Sequence, residues 1–371
     1  MPNLRVAVVG CGYWGQNLLR NFCELEEAQV LIACDFDSRA LMRAKRRYPT
    51  LEISQNFKEV LADPRVDAVV LATPVSTHYS YAHQALQAGK HVLVEKPLAQ
   101  SSREVRELIE LAERMGKVLM VDHTFLYTGA VRRMKQLVDS GELGDLLYFD
   151  SVRISLGLVQ SDINVLWDLG PHDLSIMDYL CGREPVSISA TGMRHLETPF
   201  QNIAYVTVQF EGNLIAHFHL NWLAPVKVRR TLVGGSKKMI VYDDMENSEK
   251  VKVYDKGITQ NYDSERREKM LTGYRNGDVL APTLETTEAL RLMAREFVTS
   301  IAEKRAPLSD GHAGLRIVRL LEAAQKSIEQ NGRIVYLKAQ EPACATVPPL
   351  AAIESQYLGG DSHAGILSNR S

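Results

Sequence analysis

The glycine-rich segment near the amino end constrains the fold of this chain more than any other feature. Gly10, Gly12 and Gly15 form a GxGxxG pattern that directly follows the apolar run LRVAVV and begins a helical pattern. Asp35 ends the next strand-like run, 20 residues past Gly15. In such a segment the first glycine permits a tight turn, the second lets a ligand approach the backbone, and the third lets a helix pack closely against a strand. Free N–H groups at the helix start attract an anion, so the segment predicts a dinucleotide-binding site.

Strand-like and helical runs alternate regularly through the first third of the chain. The strand-like runs are mostly apolar and rich in valine, which is typical of strands covered on both faces in a parallel sheet. They are expected over Leu4–Val9, Val30–Cys34, Ala68–Ala72, His91–Val94 and Val118–Val121. This alternation predicts an α/β fold in which residues 1–123 form an N-terminal Rossmann domain with a doubly wound parallel sheet.

The pattern changes after Tyr127. Period-2 alternation with glycine or asparagine turns predicts an antiparallel sheet with one face left to solvent or to a partner. Its strands are expected over Ser187–Thr191, Ala204–Phe210, Leu214–Trp222, Arg230–Val233, Met239–Tyr242 and Val251–Tyr254. Helices are expected over Ala130–Ser140, Val165–Leu180, Thr287–Glu303 and Gly314–Gln330. Residues 124–338 are therefore expected to form a C-terminal α+β domain, and residues 339–371, rich in Ala, Pro, Gly and Ser, a poorly ordered tail.

Composition and charge exclude several classes of partner. A net charge of −2 over 371 residues gives no electrostatic reason to expect nucleic acid or an anionic membrane. The five cysteines are scattered, without a CxxC pair or a Cys/His cluster, so neither a disulfide framework nor a metal site is expected. No uninterrupted apolar stretch reaches the roughly 18 residues of a membrane span, and the first residues lack the features of a signal peptide. A soluble, cytoplasmic protein is expected.

Asp35 bears on which dinucleotide is bound. Its carboxylate is expected to accept hydrogen bonds from the adenosine ribose hydroxyls and to repel a 2′-phosphate, which favours NAD over NADP. Arg39, four residues on, would soften that preference, or would simply be an exposed helix residue. Tyr13 and Trp14 would flank the pyrophosphate or pack between the domains.

Several short motifs together resemble the Gfo/Idh/MocA family of oxidoreductases. They are Thr73-Pro74, Thr77-His78, Val94-Glu95-Lys96-Pro97 and Trp167–Asp173 (WDLGPHD). The resemblance runs from about Leu4 to Leu337. It implies a C-terminal domain with a large, mostly antiparallel sheet, which commonly forms a homodimer or homotetramer interface. It also implies cofactor contacts on the nicotinamide side from Thr73, Pro74, His78, Glu95 and Lys96.

Two further segments, Leu166–Ser175 and Asn221–Arg230, resemble the sugar-nucleotide branch of this family. The resemblance implies a dehydrogenase that oxidises a carbinol of a sugar or UDP-sugar, with C3 of a UDP-N-acetyl amino sugar favoured and a 3-keto product. Inositol, another cyclitol or a free sugar is the alternative substrate. Two other readings stay open, which are NAD-dependent glycosidase-type chemistry without net NADH and a non-enzymatic NAD(H) sensor.

Three residues from two separate parts of the sequence carry the predicted chemistry. Oxidising a carbinol requires a base for the hydroxyl proton and a donor that stabilises the negative oxygen. Lys96 follows a core strand, at the carboxyl edge where α/β sheets bind ligands, so its ammonium would hold the hydroxyl. Asp168 and His172 are four residues apart, hence on one helix face, and Pro171 suggests that this face lies near a helix start. Asp168 would orient the imidazole or bind a substrate hydroxyl, and either Lys96 or His172 would take the proton.

Three features of the predicted antiparallel sheet have alternative interpretations. The basic patch Lys227–Arg230 (KVRR) would bind a pyrophosphate, or would lie on a solvated face or a subunit contact. His217 and His219 point to the same side of one strand and are interpreted as sheet-face or interface residues, because no cysteine or acidic ligand set lies near them. Trp222 is interpreted as a core or interface residue.

Overall fold

The first part of the chain builds a six-stranded sheet in a computed structural model, which describes residues 3–157, 162–259 and 273–337. The strands are β1 (Leu4–Val9), β2 (Ala28–Cys34), β3 (Glu52–Ser54), β4 (Ala68–Leu71), β5 (His91–Glu95) and β6 (Leu119–Asp122). They pair in parallel in the order β3-β2-β1-β4-β5-β6. The intervening helices are α1 (Tyr13–Cys23), α2 (Ser38–Arg47), α3 (Phe57–Ala62), α4 (Val75–Gln87) and α5 (Ser102–Met115). The predicted Rossmann sheet is confirmed.

Burial on both faces accounts for the five strands that the sequence predicts. All four side chains from Val6 to Val9 are at most 3% exposed, so each has to be apolar whichever face it points to. The sequence does not predict β3, because a strand of 3 residues with Ile53 as its one apolar side chain shows no period.

The second part of the chain builds a nine-stranded sheet. Its strands are β7 (Leu146–Leu156), β8 (Pro185–Met193), β9 (Ile203–Phe210), β10 (Ile215–Asn221), β11 (Leu223–Gly235), β12 (Met239–Asp243), β13 (Val251–Thr259), β14 (Gly273–Leu280) and β15 (Val335–Tyr336). Their order is β14-β13-β12-β11-β7-β10-β9-β8-β15. Only β10 and β7 pair in parallel among the described strands of this sheet, so the sheet is mostly antiparallel, as predicted.

Four helices accompany this second sheet, and one of them joins it to the first. They are α6 (Gly129–Asp139), α7 (Val165–Cys181), α8 (Ala289–Glu303) and α9 (Gly311–Glu329), with a 3₁₀ turn over Thr124–Tyr127 before α6. On α9, a Cβ at Gly314 would lie 2.7 Å from the Leu98 side chain and 3.3 Å from that of Val121 on β6. The close contact brings α9 against the Rossmann sheet, and residues 1–337 form one compact unit.

Part of the predicted domain organisation stays a prediction. The boundary between residues 123 and 124 is not marked by a separation into two compact units. The tail predicted for residues 339–371 lies outside the described residues. Within the described part of the chain, no helix combines the length and apolar character needed to cross a membrane.

Strand β7 lies at the centre of the second sheet, yet its sequence does not predict it. Phe149, Ser151 and Arg153 are its inward-facing, buried positions. Two of these three are polar, so the apolar alternation of a half-buried strand is lost. Arg153 is buried because its guanidinium donates two hydrogen bonds, of 2.7 and 2.9 Å, to the carboxylate of Asp173 on α7.

The start of α7 differs from the expectation based on Pro171. Asn164 caps the helix and accepts a hydrogen bond of 3.1 Å from the Trp167 N–H. Asp168 therefore lies in the first turn, whereas Pro171 and His172 lie inside the helix. The prediction that Asp168 and His172 lie near a helix start holds for Asp168, and the helix continues through Pro171 although proline has no N–H to donate.

The three glycines of the first turn each meet a different geometric requirement. Gly10 has φ of +88°, and a Cβ there would lie 2.4 Å from the Ala72 carbonyl oxygen. A Cβ on Gly15 would lie 1.7 Å from the Gly10 carbonyl oxygen, so only glycine lets α1 pack against this turn. A Cβ on Gly12 would meet nothing within 4 Å, and no side chain caps α1 at this residue. The backbone at Gly12 is therefore open to a ligand.

Gly15→Ala is expected to lower the melting temperature of the cofactor-free protein by several degrees. A methyl group forced against a backbone carbonyl costs about 1–3 kcal/mol. Gly12→Ala is the matched control and is expected to melt like the wild type, because its φ of −68° suits alanine and the space is empty. Gly12→Ala should still weaken dinucleotide binding in isothermal titration calorimetry, because the methyl occupies the ligand's space. Equal melting temperatures of the two variants would contradict this assignment.

Candidate active site

A cavity of about 400 Å³ lies at the carboxyl ends of β1, β2 and β4. Five of the predicted cofactor residues line it, namely Gly10, Gly12, Asp35, Thr73 and Pro74. The sequence pattern did not indicate several other lining residues, which include Phe36, Arg43, Gln55, Phe57, Thr77 and Tyr81. An open glycine backbone, an uncapped helix start and a carboxylate at the end of β2 fit the adenosine and pyrophosphate parts of a dinucleotide.

Asp35 is held at the mouth of this cavity by backbone N–H groups. One carboxylate oxygen accepts a hydrogen bond of 2.5 Å from the Cys11 N–H, and the other accepts one of 2.8 Å from the Asp37 N–H. Because each carboxylate oxygen can accept more than one hydrogen bond, Asp35 keeps capacity for ribose hydroxyls. The same contacts tie the end of β2 to the glycine-rich turn.

Seven of the predicted cofactor residues are not among those that line this cavity, and three of the seven have exposed side chains. Arg39 is exposed and is not among the described residues that line it, whereas Arg43, one turn further along α2, is. Tyr13 and Trp14 at the start of α1 are 77% and 49% exposed, with their rings edge to face at 5.3 Å. Both rings therefore face outward beside the glycine-rich turn, not between two packed domains.

Lys96 and Asp168 join the Rossmann sheet to α7. The Lys96 ammonium donates a hydrogen bond of 2.8 Å to the Asp168 carbonyl and one of 3.1 Å to its Oδ1. The other carboxylate oxygen of Asp168 accepts a hydrogen bond of 3.1 Å from the Trp222 indole N–H. Trp222 is buried, as predicted for a core residue, but its hydrogen bond to Asp168 was not predicted. Lys96 and Asp168 have side chains only 10% and 16% exposed, so solvent screens their pairing weakly.

His172 lies one helical turn further along α7, in a largely buried and positively charged environment. Its ring packs edge to face against Phe125 at 5.0 Å, and its Nδ1 is buried without a hydrogen-bond partner among the described residues. Burial lowers the pKa of His172 well below its ordinary value, and the charges of Lys96 and Arg153 lower it further. The imidazole is therefore neutral near pH 7 and able to accept a proton. Among the described residues, the hydrogen bonds of the Asp168 carboxylate come from Lys96 and Trp222 and not from His172.

Glu95 and Asp122 form a buried acid pair beneath Lys96. They are neighbours in register on β5 and β6, at 9% and 1% exposure. Burial and the nearby Asp122 charge raise the pKa of Glu95 well above its ordinary value, which favours its protonated form. The Lys96 backbone N–H donates to Glu95, and the Thr124 hydroxyl donates to Asp122. Glu95 thus supports the segment that carries Lys96.

His78 ties together two segments that border the site. Its ring is buried, with Nδ1 2.7 Å from the Pro97 carbonyl oxygen and Nε2 2.8 Å from that of Thr73. Lys96 and Pro97 are joined by a cis peptide bond. His78 is therefore engaged by the protein itself, between the turn after β4 and the turn after β5.

The basic patch divides between the two faces of β11. Lys227 and Arg230 are exposed, whereas Arg229 is half-buried and lies beside Arg153 in the neighbouring strand. The Arg229 guanidinium lies 5.9 Å from the centre of the Phe125 ring and 3.3 Å from the Asp244 carboxylate. Of the patch, Arg229 is thus the residue that approaches His172.

His217 and His219 lie with Tyr205 on the sheet, away from this site. Tyr205 stacks on His219 at 4.6 Å, and the Thr207 hydroxyl lies 3.1 Å from His217 Nδ1. In the described part of the chain, no group of three or more His, Cys, Asp or Glu side chains has the arrangement of a metal site.

Known proteins resemble this chain along most of its length. Residues 4–123 match a family model described as an oxidoreductase family with an NAD-binding Rossmann fold, and residues 131–241 match the GFO/IDH/MocA C-terminal domain. The UDP-N-acetylglucosamine 3-dehydrogenase of Acidithiobacillus ferrooxidans is 26% identical over 337 residues, which are 89% of this chain and 98% of that protein. A crystal structure from that organism under the same enzyme name superposes with a TM-score of 0.76 at 25% identity, covering 89% and 99% of the two chains.

A third relative differs from these in substrate and cofactor. It is the NADP⁺-dependent scyllo-inositol 2-dehydrogenase of Bacillus subtilis, 24% identical over 308 residues, which are 78% of this chain and 85% of that protein. The two family models together cover more than half of the chain, on both sheets. The chain is therefore a member of the Gfo/Idh/MocA family of NAD-binding oxidoreductases, acting on CH–OH groups.

Proposed function

We propose that the protein is an NAD-dependent dehydrogenase that oxidises a carbinol of a sugar or sugar nucleotide, with C3 of a UDP-N-acetyl amino sugar as the favoured position. One observation carries the proposal, which is that Lys96, Asp168 and a neutral His172 meet at the carboxyl edge of the Rossmann sheet. A sensor of NAD(H) would need no such donor and base. A relative that is 26% identical over 337 residues is a dehydrogenase of UDP-N-acetylglucosamine, which supports the favoured substrate.

The residues present can divide the chemistry between two groups. The Lys96 ammonium, which pairs with the Asp168 carboxylate, donates to the substrate hydroxyl oxygen and stabilises negative charge there as the C–H bond breaks. His172 takes the hydroxyl proton, since a neutral imidazole can act as a base. Bound NAD⁺ supplies a hydride acceptor. We therefore assign the base to His172 and the oxyanion donor to Lys96.

Arg229 suits a substrate that carries a phosphate. A half-buried guanidinium near the Phe125 ring and His172 would pair with a diphosphate, whereas a cyclitol or free sugar offers no such anion.

Assembly through the outer face of the nine-stranded sheet, as a homodimer or homotetramer, is also part of the proposal. The sheet carries exposed apolar side chains that support this assembly, including those of Met193, Tyr205 and Ile215. Light scattering of the purified protein would test the oligomeric state.

Purified protein is expected to form NADH when it is given NAD⁺ and UDP-N-acetylglucosamine or a related UDP-sugar. NADH formation is measured by its absorbance, and cyclitols and free sugars are tested as alternative substrates. Lys96→Met is expected to lower turnover by about 10²–10³-fold, the usual cost of losing an oxyanion donor, while NAD binding stays intact. Lys326→Met, an exposed residue on α9, is the control and should behave like the wild type. Turnover without net NADH would point to elimination chemistry instead, and no turnover with any of these compounds would contradict the proposal.

Asp35→Ser is expected to raise the Kd for NAD about tenfold or more, because charge-assisted hydrogen bonds to the ribose are lost. The Kd for NADP should fall, because the repulsion of its 2′-phosphate is removed. Arg39→Ala is expected to change neither value, since its side chain lies off the cavity, whereas Arg43→Ala in the Asp35→Ser background should weaken NADP binding. Calorimetric titration of each variant measures these constants. An unchanged ratio of the two affinities in Asp35→Ser would rule out this role of Asp35.

The acid limb of kcat/KM is expected to lie below the ordinary histidine pKa of about 6.5. The base must be unprotonated, and because burial and nearby cations lower the pKa of His172, activity is kept as the pH falls through 6.5 and is lost only at lower pH. Arg229→Gln removes one of those cations and should move the limb upward, by up to about one unit. Arg230→Gln, on the opposite face of β11, is the matched control and should leave the limb in place. A limb above pH 6.5 in the wild type would exclude His172 as the base.

A further inference from the structure

Buried polar atoms without partners cluster directly behind the proposed base. His123 follows β6, its side chain is 1% exposed, and neither of its ring nitrogens has a hydrogen-bond partner among the described residues. His172 Nδ1 is in the same condition. Leaving such an atom unpaired costs about 1–3 kcal/mol, so a group of three indicates that ordered water or another polar group belongs there.

The backbone brings His123 and His172 close together. Phe125, two residues after His123, packs its ring against that of His172 at 5.0 Å. Ser175 donates a hydrogen bond of 2.8 Å to the His172 carbonyl and lines the same cavity as His123. The nearness of the His123 ring also contributes to lowering the pKa of His172, because the two rings would repel each other if both were protonated. The two imidazoles therefore lie close to each other beside α7.

The cavity beside His123 has a volume of about 250 Å³, which is room for several water molecules. It shares no lining residue with the cavity at the glycine-rich turn. Its outer end reaches the surface, because the lining residues Leu308 and Arg316 have side chains about 38% and 47% exposed. Its polar lining residues are His123, Lys135, Ser175, Asp178, Tyr179 and Arg316.

We propose that His123 and water in this cavity form a proton path that leads from His172 to solvent, separate from the entrance used by substrate and cofactor. The inference rests on the proposed dehydrogenase function. Each oxidation breaks a C–H bond, whose electron pair leaves as hydride, and an O–H bond, whose proton passes to His172. With substrate and cofactor bound, the proton leaves through Nδ1, and His123 accepts it on one ring nitrogen as the other nitrogen releases a proton to the cavity water.

The burial and the charges around His123 favour an imidazole that passes a proton on and does not hold it. Burial, and then the charges of Lys96 and Arg316, lower the pKa of His123 to about 3, so the ring is neutral at pH 7. A neutral imidazole has one N–H to donate and one lone pair to accept, as a concerted transfer requires. The groups that face it are Lys96 after β5, Asp122 on β6, Lys135 on α6, His172 and Asp178 on α7, and Arg316 on α9.

The test compares hydride transfer and proton release in one turnover of the holoenzyme. Stopped-flow absorbance of NADH and of a pH indicator should give equal rates in the wild type. In His123→Phe, proton release is expected to lag NADH formation by about tenfold or more and to be restored by added imidazole. His312→Phe, an exposed histidine outside this cavity, is the control and should match the wild type. Proton release in His123→Phe that keeps pace with NADH would overturn the proposal.

Two further measurements keep this test independent of folding and of the substrate assignment. The melting temperature of His123→Phe should equal or exceed that of the wild type, because phenylalanine leaves no buried nitrogen unpaired. In a high-resolution structure of the NAD complex, ordered water should bridge His123 and His172. A dry cavity there would overturn the relay even if no substrate is turned over, whereas a hydrated cavity without turnover would contradict the dehydrogenase proposal alone.

Discussion

The ion pair between Lys96 and Asp168 is the interaction on which the rest of the site depends. Lys96 begins the turn after β5, and Asp168 lies in the first turn of α7, 72 residues further along the chain. Trp222, in the link between β10 and β11, holds the second oxygen of the same carboxylate. One carboxylate thus fixes the position of both sheets relative to α7. Removing either charge would leave the other buried and unpaired, which typically costs about 3–5 kcal/mol.

Burial keeps His172 neutral, and the cations around it, which lower its pKa further, belong to ion pairs. Arg153 pairs with Asp173, and Arg229 pairs with Asp244, so both guanidinium groups near the ring have carboxylate partners. These pairs hold the cations in place without placing a carboxylate against the imidazole. The base, His172, thus lies among fixed positive charges. These charges stabilise a developing oxyanion on the substrate and disfavour the protonated form of the imidazole.

The cofactor half of the site could be predicted because its signals are local in sequence. Gly10, Gly12 and Gly15 lie within one turn, and Asp35 ends the next strand, so period and spacing were sufficient. The sequence does not predict Arg43, which lies one helical turn beyond Arg39, because no pattern shows which face of α2 borders the ribose.

The substrate half depends on long-range pairing that spacing does not reveal. The resemblance indicated Lys96, Asp168 and His172, but not that Trp222 would bind Asp168 from 54 residues away. Strand β7 was missed because its buried Arg153 requires Asp173 on α7, a partner that only the fold supplies. The pairing of Glu95 with Asp122 likewise needs the register of β5 against β6.

That acid pair explains why the Lys96 ammonium points at the site and not into the sheet. If both carboxyl groups were ionised, two negative charges directly below the lysine would compete with Asp168 for its ammonium. Burial raises the pKa of both carboxyl groups, and the neighbouring Asp122 charge raises that of Glu95 further, which favours a proton on the pair and lowers its negative charge. Asp122 is engaged by the Thr124 hydroxyl, and Glu95 accepts the Lys96 backbone N–H, so the pair holds the lysine's main chain while its side chain stays with Asp168. The buried acid pair therefore helps to set where the charge of Lys96 is delivered.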